Sequence, residues 1–218
     1  MIIAILVVLA YLIGSIPTAV WISKSVYGID IREHGSGNAG ATNTFRILGS
    51  KAGTIVMIGD MLKGFIAVKL ALLACVFSHM QVFSEPFVNL QITLGLVSVV
   101  GHIFPIWADF RGGKGIATLF GMILSIQPLV AVSLVGVFLI MLFLTRYVSL
   151  SSISASIAFP VLIVFIFRAP ELSYKLFAIA TACLVVLTHH KNIGRLLHGN
   201  ESKVPLFRKR RMRRNGED

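Results

Sequence analysis

The sequence predicts an all-α, polytopic membrane protein built as a bundle of seven transmembrane helices. Of its 218 residues, 56% are hydrophobic and 13% are charged, and the mean hydropathy is +0.86. Soluble domains are about 45–50% apolar and about 25% charged, so a chain this short could not hide this much apolar surface from water. The apolar runs must be helical, because an open sheet would leave backbone groups unpaired in lipid.

Seven apolar runs are the predicted spans, since about 20 mostly apolar residues cross the hydrocarbon core. The fourth run is short and only Gln127–Pro128 separates it from the fifth, so we expect it to be tilted or half-buried. A five-helix bundle with two re-entrant segments is the alternative. The runs cover residues 2–23, 53–77, 88–106, 115–127, 129–144, 152–168 and 173–189.

Basic residues predict the orientation of the bundle. Nine of the 20 Lys and Arg lie at or after Lys191, most of them in the run Phe207–Arg214. Cytoplasmic loops carry an excess of Lys and Arg, which places the C-terminus in the cytoplasm and the N-terminus outside. We therefore predict a membrane domain over residues 1–201 and a basic cytoplasmic tail over residues 202–218. Beside a hydrophobic bundle, this tail favours membrane lipids over nucleic acid as its partner.

Four polar segments fall on the cytoplasmic side of this topology, whereas the outer loops are short and hold only two basic residues, Arg168 and Lys175. We call them the first to fourth islands. Four separated segments that meet at one face indicate a composite site rather than four linkers. The islands are residues 30–50, 107–118, 145–152 and 188–201.

The first island is rich in glycine, hydroxyl and amide residues. Glycines allow backbone N–H groups to approach an anion, and the fork of donors on Arg46 suits phosphate. The segment GSGNAG matches a dinucleotide fingerprint formally, but it lies between two membrane helices and not in a βαβ unit, so we reject that interpretation. The candidate ligands are Gly35, Ser36, Gly37, Asn38, Thr42, Asn43 and Arg46.

The second island carries RGGKG immediately before an apolar helix. Gly112, Gly113 and Gly115 are expected to expose N–H groups at the helix N-terminus, where the helix dipole favours anions, and Lys114 adds a positive charge. The segment is not a Walker A loop, because Lys114 is followed by Gly115 and not by Ser or Thr.

Several ionisable residues lie within or at the ends of the predicted spans. Asp60 and Lys63 share one helical face, and we expect an ion pair that borders the site, with a direct ligand role as the alternative. His102 ends the third span and is expected to bond a neighbouring helix. Lys69 lies deeper, and the sequence assigns it no role.

The fourth island brings further candidates to the same face. His189 and Asn192 are three residues apart at the end of the last span, and a short amphipathic segment with Arg195 and Glu201 follows. The carboxylates of the chain are few and scattered, so we expect neither a metal site nor a cofactor.

Together these motifs resemble the bacterial acyl-phosphate:glycerol-3-phosphate acyltransferases, the PlsY family. The resemblance rests on GSGNAGATN with Arg46, on GHIFPIW and FRGGKGIAT, and on H-x-x-N-I-x-R-L-x-x-G-x-E from His189 to Glu201; Asp60-x-x-Lys63-Gly64 and YVSLSS also fit. It implies a seven-helix bundle in the bacterial inner membrane, active at its cytoplasmic face. It also implies acyl transfer from acyl phosphate to the 1-hydroxyl of glycerol 3-phosphate, giving lysophosphatidic acid and phosphate. The soluble enzyme that makes acyl phosphate is an implied partner.

The resemblance and the residue chemistry together assign roles. The proton acceptor stays open between a phosphate oxygen of the donor and His189, and either Ser149 or Ser152 lines the site. The catalytic candidates are Ser36, Thr42, Arg46, His189 and Asn192; the phosphate-binding candidates are Gly35, Gly37, Asn38, Asn43, Gly112, Gly113, Lys114, Gly115, Ser149, Ser152 and Arg195; the supporting candidates are Asp60, Lys63, His102 and Glu201.

Two other classes of function are weaker fits. A transporter for anionic solutes would carry repeats and polar residues across the whole membrane, whereas here the polar residues crowd one face. A lipid-docking scaffold would leave the long first island without a purpose. None of the six histidines has Asp five positions further on, so the His-x-x-x-x-Asp base of soluble-domain glycerolipid acyltransferases is absent.

Overall fold

The computed structural model describes residues 1–204, and this range is helical with no strand, as the composition predicted. The basic run Phe207–Arg214 lies outside the described residues. A π-helical turn over Leu162–Ile166 follows α9, and two short 3₁₀ turns, Ile31–Glu33 and Ile106–Ala108, lie in the first island and at the start of the second. The helices are α1 Ile2–Gly14, α2 Thr18–Tyr27, α3 Ala41–Leu48, α4 Ser50–Lys69, α5 Ala71–Ser78, α6 Glu85–Ile103, α7 Ile116–Ile126, α8 Pro128–Thr145, α9 Val148–Val161, α10 Leu172–Thr188 and α11 His190–Leu197.

Five helical segments of residues 1–204 are long and apolar enough to cross a bilayer. They correspond to α1–α2, α4–α5, α6, α8 and α9, and a sixth is α10 with α11, which bend by 61° at His189. Helix α7 has only 11 residues, about 16 Å, against a hydrocarbon core of about 30 Å. The helical membrane bundle is confirmed, and seven full crossings stay a prediction.

Helix α7 packs backbone to backbone against α4. A Cβ added at Gly64 would lie 2.0 Å from the carbonyl oxygen of Thr118, and one added at Gly121 would lie 1.9 Å from that of Met61. Small residues at such crossings let helix backbones approach closely in a membrane. The short helix is therefore held inside the bundle, which agrees with the expectation of a half-buried fourth segment.

The position of α7 also explains Lys69. Lys69 Nζ donates to the carbonyl oxygen of Ser125 at 3.4 Å and lies 5.3 Å from the centre of the Phe65 ring. The last carbonyls of a helix lack partners within the helix and carry the negative end of its dipole. Because α7 ends inside the bundle, a lysine on the neighbouring helix satisfies one of these carbonyls.

Glycines also bring α1 against α6 near the site. A Cβ at Gly14 would meet the Ser98 carbonyl oxygen at 2.1 Å, and one at Gly101 would meet that of Tyr11 at 2.5 Å. The Tyr11 hydroxyl donates to the carbonyl oxygen of Phe104 at 2.8 Å. These contacts fix the end of α6, from which the second island departs.

The α4–α7 crossing makes a testable claim about stability. We expect Gly121→Ala to lower the free energy of unfolding by about 1–3 kcal/mol, because the methyl group must push two backbones apart. Gly136→Ala on α8 is the matched control, since nothing lies within 4 Å of its Cβ position. Thermal unfolding of both variants in one detergent measures the effect, and equal melting temperatures would contradict the close crossing.

Candidate active site

The first island is folded around the side chain of Asn43. Its Oδ1 accepts from the backbone N–H of Ser36 at 3.0 Å, and its Nδ2 donates to the carbonyl oxygens of Ile31 at 3.2 Å and His34 at 2.9 Å. The side chain is buried. Predicted as a ligand, Asn43 has its polar atoms engaged by the loop backbone, so its structural role is to shape the island.

Glycine is required where the loop turns around Asn43. Gly35 and Gly37 have φ of +63° and +71°, in the left-handed region that other residues rarely adopt. A Cβ at Gly35 would also lie 2.4 Å from Asn43 Oδ1. The turn leaves Ser36 exposed, with Asn38 half-buried beside Gly40.

Helix α3 carries the two remaining candidates of the first island. Thr42 and Arg46 are four residues apart, so they share one face, and both are exposed. The helix is anchored on α4 through Phe45, since a Cβ at Gly53 would lie 2.3 Å from the Phe45 ring. The anchoring leaves Thr42 and Arg46 free on the open side of the island.

An ion pair that sequence reasoning overlooked joins the first island to the second. Arg32 donates to both carboxylate oxygens of Asp30, at 2.7–3.2 Å, and to the carbonyl oxygen of Ala108 at 2.9 Å. The hydrogen bonds from Arg32 outweigh burial and hold the pKa of Asp30 well below its usual range. The spacing Asp-x-Arg was the available signal, but only the fold reveals Ala108 as the third partner.

The glycines of the second island turn back onto the end of α6. The N–H of Gly112 donates to the carbonyl oxygen of Ile103 at 3.1 Å, and that of Gly113 donates to the carbonyl oxygen of His102 at 3.2 Å. We expected these two N–H groups to face an anion. In the structure they instead satisfy the last carbonyls of α6, which lack partners within the helix.

Side chains at these glycines would collide with α6. A Cβ at Gly112 would lie 2.0 Å from the His102 carbonyl oxygen, and one at Gly113 would lie 2.3 Å from His102 Nε2 and 3.0 Å from the carbonyl oxygen of Ala39. Gly113 therefore sits where the first and second islands meet. Gly115, with φ of +79°, then turns the chain into α7.

Lys114 connects the second island to the fourth. Its Nζ donates to Oδ1 of Asn192, which is buried at the start of α11. The charges of Arg46 and Arg195 lie close enough to act on Lys114. Burial is the largest cause that lowers the pKa of Lys114, which is about 8 in the folded protein. The negative charge of Glu201 opposes this shift, and the two cations lower the pKa further.

Glu201 is the junction of the third and fourth islands. Its Oε1 accepts from Ser149 Oγ at 2.8 Å and from Asn192 Nδ2 at 2.7 Å, and its Oε2 accepts from Arg195 Nε at 2.7 Å. Burial alone would raise the pKa of Glu201, but these hydrogen bonds outweigh burial and lower it. The chain continues across the third island, where the N–H of Val204 donates to the carbonyl oxygen of Arg146 at 2.9 Å.

The two serine candidates differ in their contacts. Ser149 donates to Glu201 and so belongs to the cluster, whereas Ser152 Oγ donates to Val148 O at 3.0 Å within its own helix. His189, at the bend before α11, is buried, and its Nδ1 donates to the carbonyl oxygen of Val185 at 2.8 Å. That bond leaves His189 Nε2 as the acceptor nitrogen.

Beneath the islands, the predicted ion pair is present. Lys63 Nζ lies 2.8 Å from Asp60 Oδ1, donates to Ile16 O at 2.7 Å and contacts His102 Nδ1 at 3.2 Å. The side chains of Asp60, Lys63 and His102 are almost completely buried, and the His102 ring lies against Gly113 of the second island. The pair thus borders the site through His102.

The islands form one basic site with polar donors. Lys114, Arg46 and Arg195 supply positive charge, and Ser36 and Thr42 supply hydroxyl groups, at one end of an apolar bundle. Such a cluster suits a phosphate group. Residues 1–204 contain no group of three His, Cys, Asp or Glu side chains placed to hold a metal ion.

Comparison with known proteins decides the family. The sequence model described as glycerol-3-phosphate acyltransferase matches residues 4–199. The chain belongs to the glycerol-3-phosphate acyltransferase family. It is 45% identical over 201 residues to the glycerol-3-phosphate acyltransferase of Geobacillus kaustophilus (strain HTA426), covering 92% of this chain and 95% of the relative. To that of Bacillus subtilis (strain 168) it is 43% identical over 204 residues, covering 94% and 98%.

Two crystal structures of PlsY (YgiH), an integral membrane glycerol 3-phosphate acyltransferase, share the fold of this family member. The glycerol 3-phosphate form matches with a TM-score of 0.80 at 40% identity, over 93% of this chain and 95% of that one. The lysophosphatidic acid form matches with a TM-score of 0.78 at 37% identity, over 92% and 94%. The predicted resemblance to PlsY is therefore confirmed, and the chain is an integral membrane acyltransferase.

The Glu201 junction predicts a pH-dependent loss of stability. Because the pKa of Glu201 is lowered by folding, its contribution is present above its ordinary pKa of about 4.3 and is lost as pH falls through the folded value. We expect Glu201→Gln to lower the melting temperature at pH 7, and the difference from the wild type to shrink below about pH 4.3.

The exposed Glu33 offers a matched control for this experiment, since Glu33→Gln makes the same chemical change away from the cluster. Thermal unfolding of both variants between pH 7 and pH 3.5 gives the comparison. A Glu201→Gln difference that stays constant with pH would contradict the assigned hydrogen bonds.

Proposed function

We propose that this chain transfers a fatty acyl group from acyl phosphate to the 1-hydroxyl of glycerol 3-phosphate. The products are lysophosphatidic acid and inorganic phosphate, as in the first acylation of phospholipid synthesis. The observation that carries the proposal is the linked group of Lys114, Asn192, Glu201 and Ser149, because it joins three islands beside two further cations. Family membership supplies the acyl transfer and the glycerol 3-phosphate.

The basic side chains hold the phosphate groups. Both substrates carry a phosphate, and the planar forks of Arg46 and Arg195 suit bidentate contacts to its oxygens. Lys114 adds a point charge that Asn192 aims, since the two share a hydrogen bond. Glycerol 3-phosphate approaches from water, and the exposure of Arg46 on α3 suits it to that first contact.

Polar residues of the first and third islands orient the reacting groups. Thr42 is exposed on the face of α3 that carries Arg46, Ser36 is exposed in the same island, and both offer hydroxyl donors. Ser149 is turned toward the site by Glu201, so we prefer it to Ser152 as the substrate-facing serine. Asn43, Gly112 and Gly113 act on the substrate indirectly, by shaping the islands that carry these groups.

The acyl chain of the donor lies along the apolar outer surface of the bundle. Helix α8 ends at the start of the third island, and Phe143 and Leu144 in its last turn are 67% and 70% exposed. A donor embedded in the bilayer can place its alkyl chain against this surface and its phosphate at the cations. A soluble enzyme that makes acyl phosphate would deliver the donor to the same cytoplasmic face of the bacterial inner membrane. This arrangement has the N-terminus outside and the C-terminus inside.

The chemistry is a direct transfer. The 1-hydroxyl oxygen attacks the acyl carbonyl carbon, the bond from that carbon to the phosphate oxygen breaks, and phosphate leaves. Because acyl phosphate is an activated mixed anhydride, positioning and charge stabilisation are the main tasks of the protein. The hydroxyl proton ends on the departing phosphate, so the step is balanced without a further reactant.

A phosphate oxygen is the stronger candidate for the proton acceptor. Phosphate monoesters accept a proton with a pKa of about 6. His189 offers Nε2 as the alternative acceptor, but it is buried and close to the charge of Lys114, and both conditions oppose a protonated imidazole. We therefore assign His189 to orienting the substrate.

A donor assay tests the proposed reaction. Purified protein in detergent is given radiolabelled glycerol 3-phosphate with palmitoyl phosphate, palmitoyl-CoA or palmitoyl acyl carrier protein. We expect lysophosphatidic acid from palmitoyl phosphate alone, and no acylated protein in a quenched single-turnover reaction. Product from the thioesters alone would refute the donor, an acyl-protein species would refute direct transfer, and transport without product would favour a transporter.

The lowered pKa of Lys114 predicts an alkaline limit on activity. Lys114 is cationic below about pH 8 and neutral above it, so kcat/KM should fall as pH rises through about 8. Lys114→Arg should move this limb upward in pH, since arginine stays charged. Lys191→Arg, an exposed exchange of the same kind, is the control. If the pH at which kcat/KM falls is the same in Lys114→Arg as in the wild type, a group other than Lys114 sets the alkaline limit.

A further inference from the structure

The imidazole of His102 is held in one tautomer by a buried chain of charges. Lys63 Nζ lies 2.8 Å from Asp60 Oδ1 in an ion pair, and it donates a hydrogen bond to the carbonyl oxygen of Ile16 at 2.7 Å. An ammonium group has three donors and no lone pair, and its third neighbour is His102 Nδ1 at 3.2 Å. Nδ1 is therefore the acceptor, and the ring proton of the neutral imidazole resides on Nε2.

The other ring nitrogen points to the seam between the first and second islands. A Cβ at Gly113 would lie 2.3 Å from His102 Nε2 and 3.0 Å from Ala39 O. The ring nitrogen of His102 therefore lies close to Gly113 of the second island and to the Ala39 carbonyl of the first. Within residues 1–204, the polar contacts of the ring all fall on Nδ1. The side chain is 7% exposed. A donor nitrogen on a largely buried ring, with no hydrogen-bond partner within residues 1–204, is available for a ligand acceptor.

We propose that the Asp60–Lys63–His102 chain presents the Nε2–H of His102 as a hydrogen-bond donor to a phosphate oxygen of a substrate at this seam. The inference rests on the proposed function, because both substrates of that reaction carry a phosphate. Lys114 follows Gly113 directly, so the donor and a cation reach the seam from the same segment. Asp60 and Lys63 are then positioning residues, and His102 contacts the substrate.

Two substitutions of His102 test the roles of its two ring nitrogens separately. His102→Asn keeps an acceptor near the position of Nδ1 for Lys63 but has nothing at Nε2. His102→Gln places an amide N–H near the position of Nε2. A hydrogen bond to a charged acceptor corresponds to about 10- to 100-fold in an equilibrium constant. We expect His102→Asn to raise the KM of one phosphate substrate by about that factor, and His102→Gln to recover most of the loss.

The affected substrate identifies the phosphate. A raised KM for glycerol 3-phosphate at saturating palmitoyl phosphate assigns the acceptor's phosphate, and a raised KM for palmitoyl phosphate assigns the donor's. His79→Asn makes the same change at an exposed residue with φ of +53°, which asparagine tolerates, and should leave both constants unchanged. Equal losses in the Asn and Gln variants, or a fall in kcat alone, would overturn the proposal.

A measurement on the unaltered chain keeps the proposal testable if the variants fail to fold. Protein labelled with ¹⁵N-histidine, in nanodiscs, reports the tautomer of His102 and the environment of Nε2. We expect an Nε2–H signal that shifts with glycerol 3-phosphate, inorganic phosphate or an alkyl phosphonate. A proton on Nδ1, or an Nε2 signal that none of these ligands moves, would refute the inference. Because this experiment measures binding alone, it is independent of whether palmitoyl phosphate is the acyl donor.

Discussion

Two backbone hydrogen bonds at the end of α6 organise the site. The N–H groups of Gly112 and Gly113 donate to the carbonyl oxygens of Ile103 and His102, so the second island folds back instead of extending into water. Carbonyls at a helix end near the membrane need such partners, since each unpaired buried group costs about 1–3 kcal/mol. The fold-back brings Lys114 to Asn192, and through Asn192 to Glu201. A constraint of helix termination thereby becomes the geometry of the proposed phosphate site.

Much of the fold was predictable, because its signals are local. Apolar runs, breaks and the bias of basic residues depend on neighbouring positions, and they placed four islands at one face. The structure joins those islands through contacts such as Lys114–Asn192 and Ser149–Glu201. The length of α7 was less predictable: it has 11 residues, and Lys69, distant in sequence, donates to a carbonyl in its last turn. No local pattern encodes that partnership.

The roles of single residues were harder to predict than the site itself. A glycine-rich segment before a helix looks the same in sequence whether its N–H groups face an anion or a neighbouring carbonyl. The N–H groups of Gly112 and Gly113 donate to carbonyl oxygens of α6, and the side-chain amide of Asn43 likewise hydrogen-bonds the loop backbone. Glu201 was placed among the supporting residues, but its three hydrogen bonds span 52 residues of chain. Such hydrogen bonds form only when separated islands meet in the folded chain, so the sequence alone does not show how much they contribute to stability.

The buried side chains of Asp60, Lys63 and His102 lie beneath the islands, and burying their charges costs free energy that some other gain must offset. Breaking a buried ion pair such as Asp60–Lys63 costs about 3–5 kcal/mol, whereas replacing the whole pair by apolar residues is often neutral or stabilising. Stability alone therefore gives little reason to place these charges within the bundle. Orientation gives a better one, because the ammonium group of Lys63 has no lone pair, so its contact with Nδ1 fixes which nitrogen of His102 carries the proton. In the proposed site for phosphate beside an apolar phase, a neutral donor of fixed direction adds affinity without adding another desolvated charge.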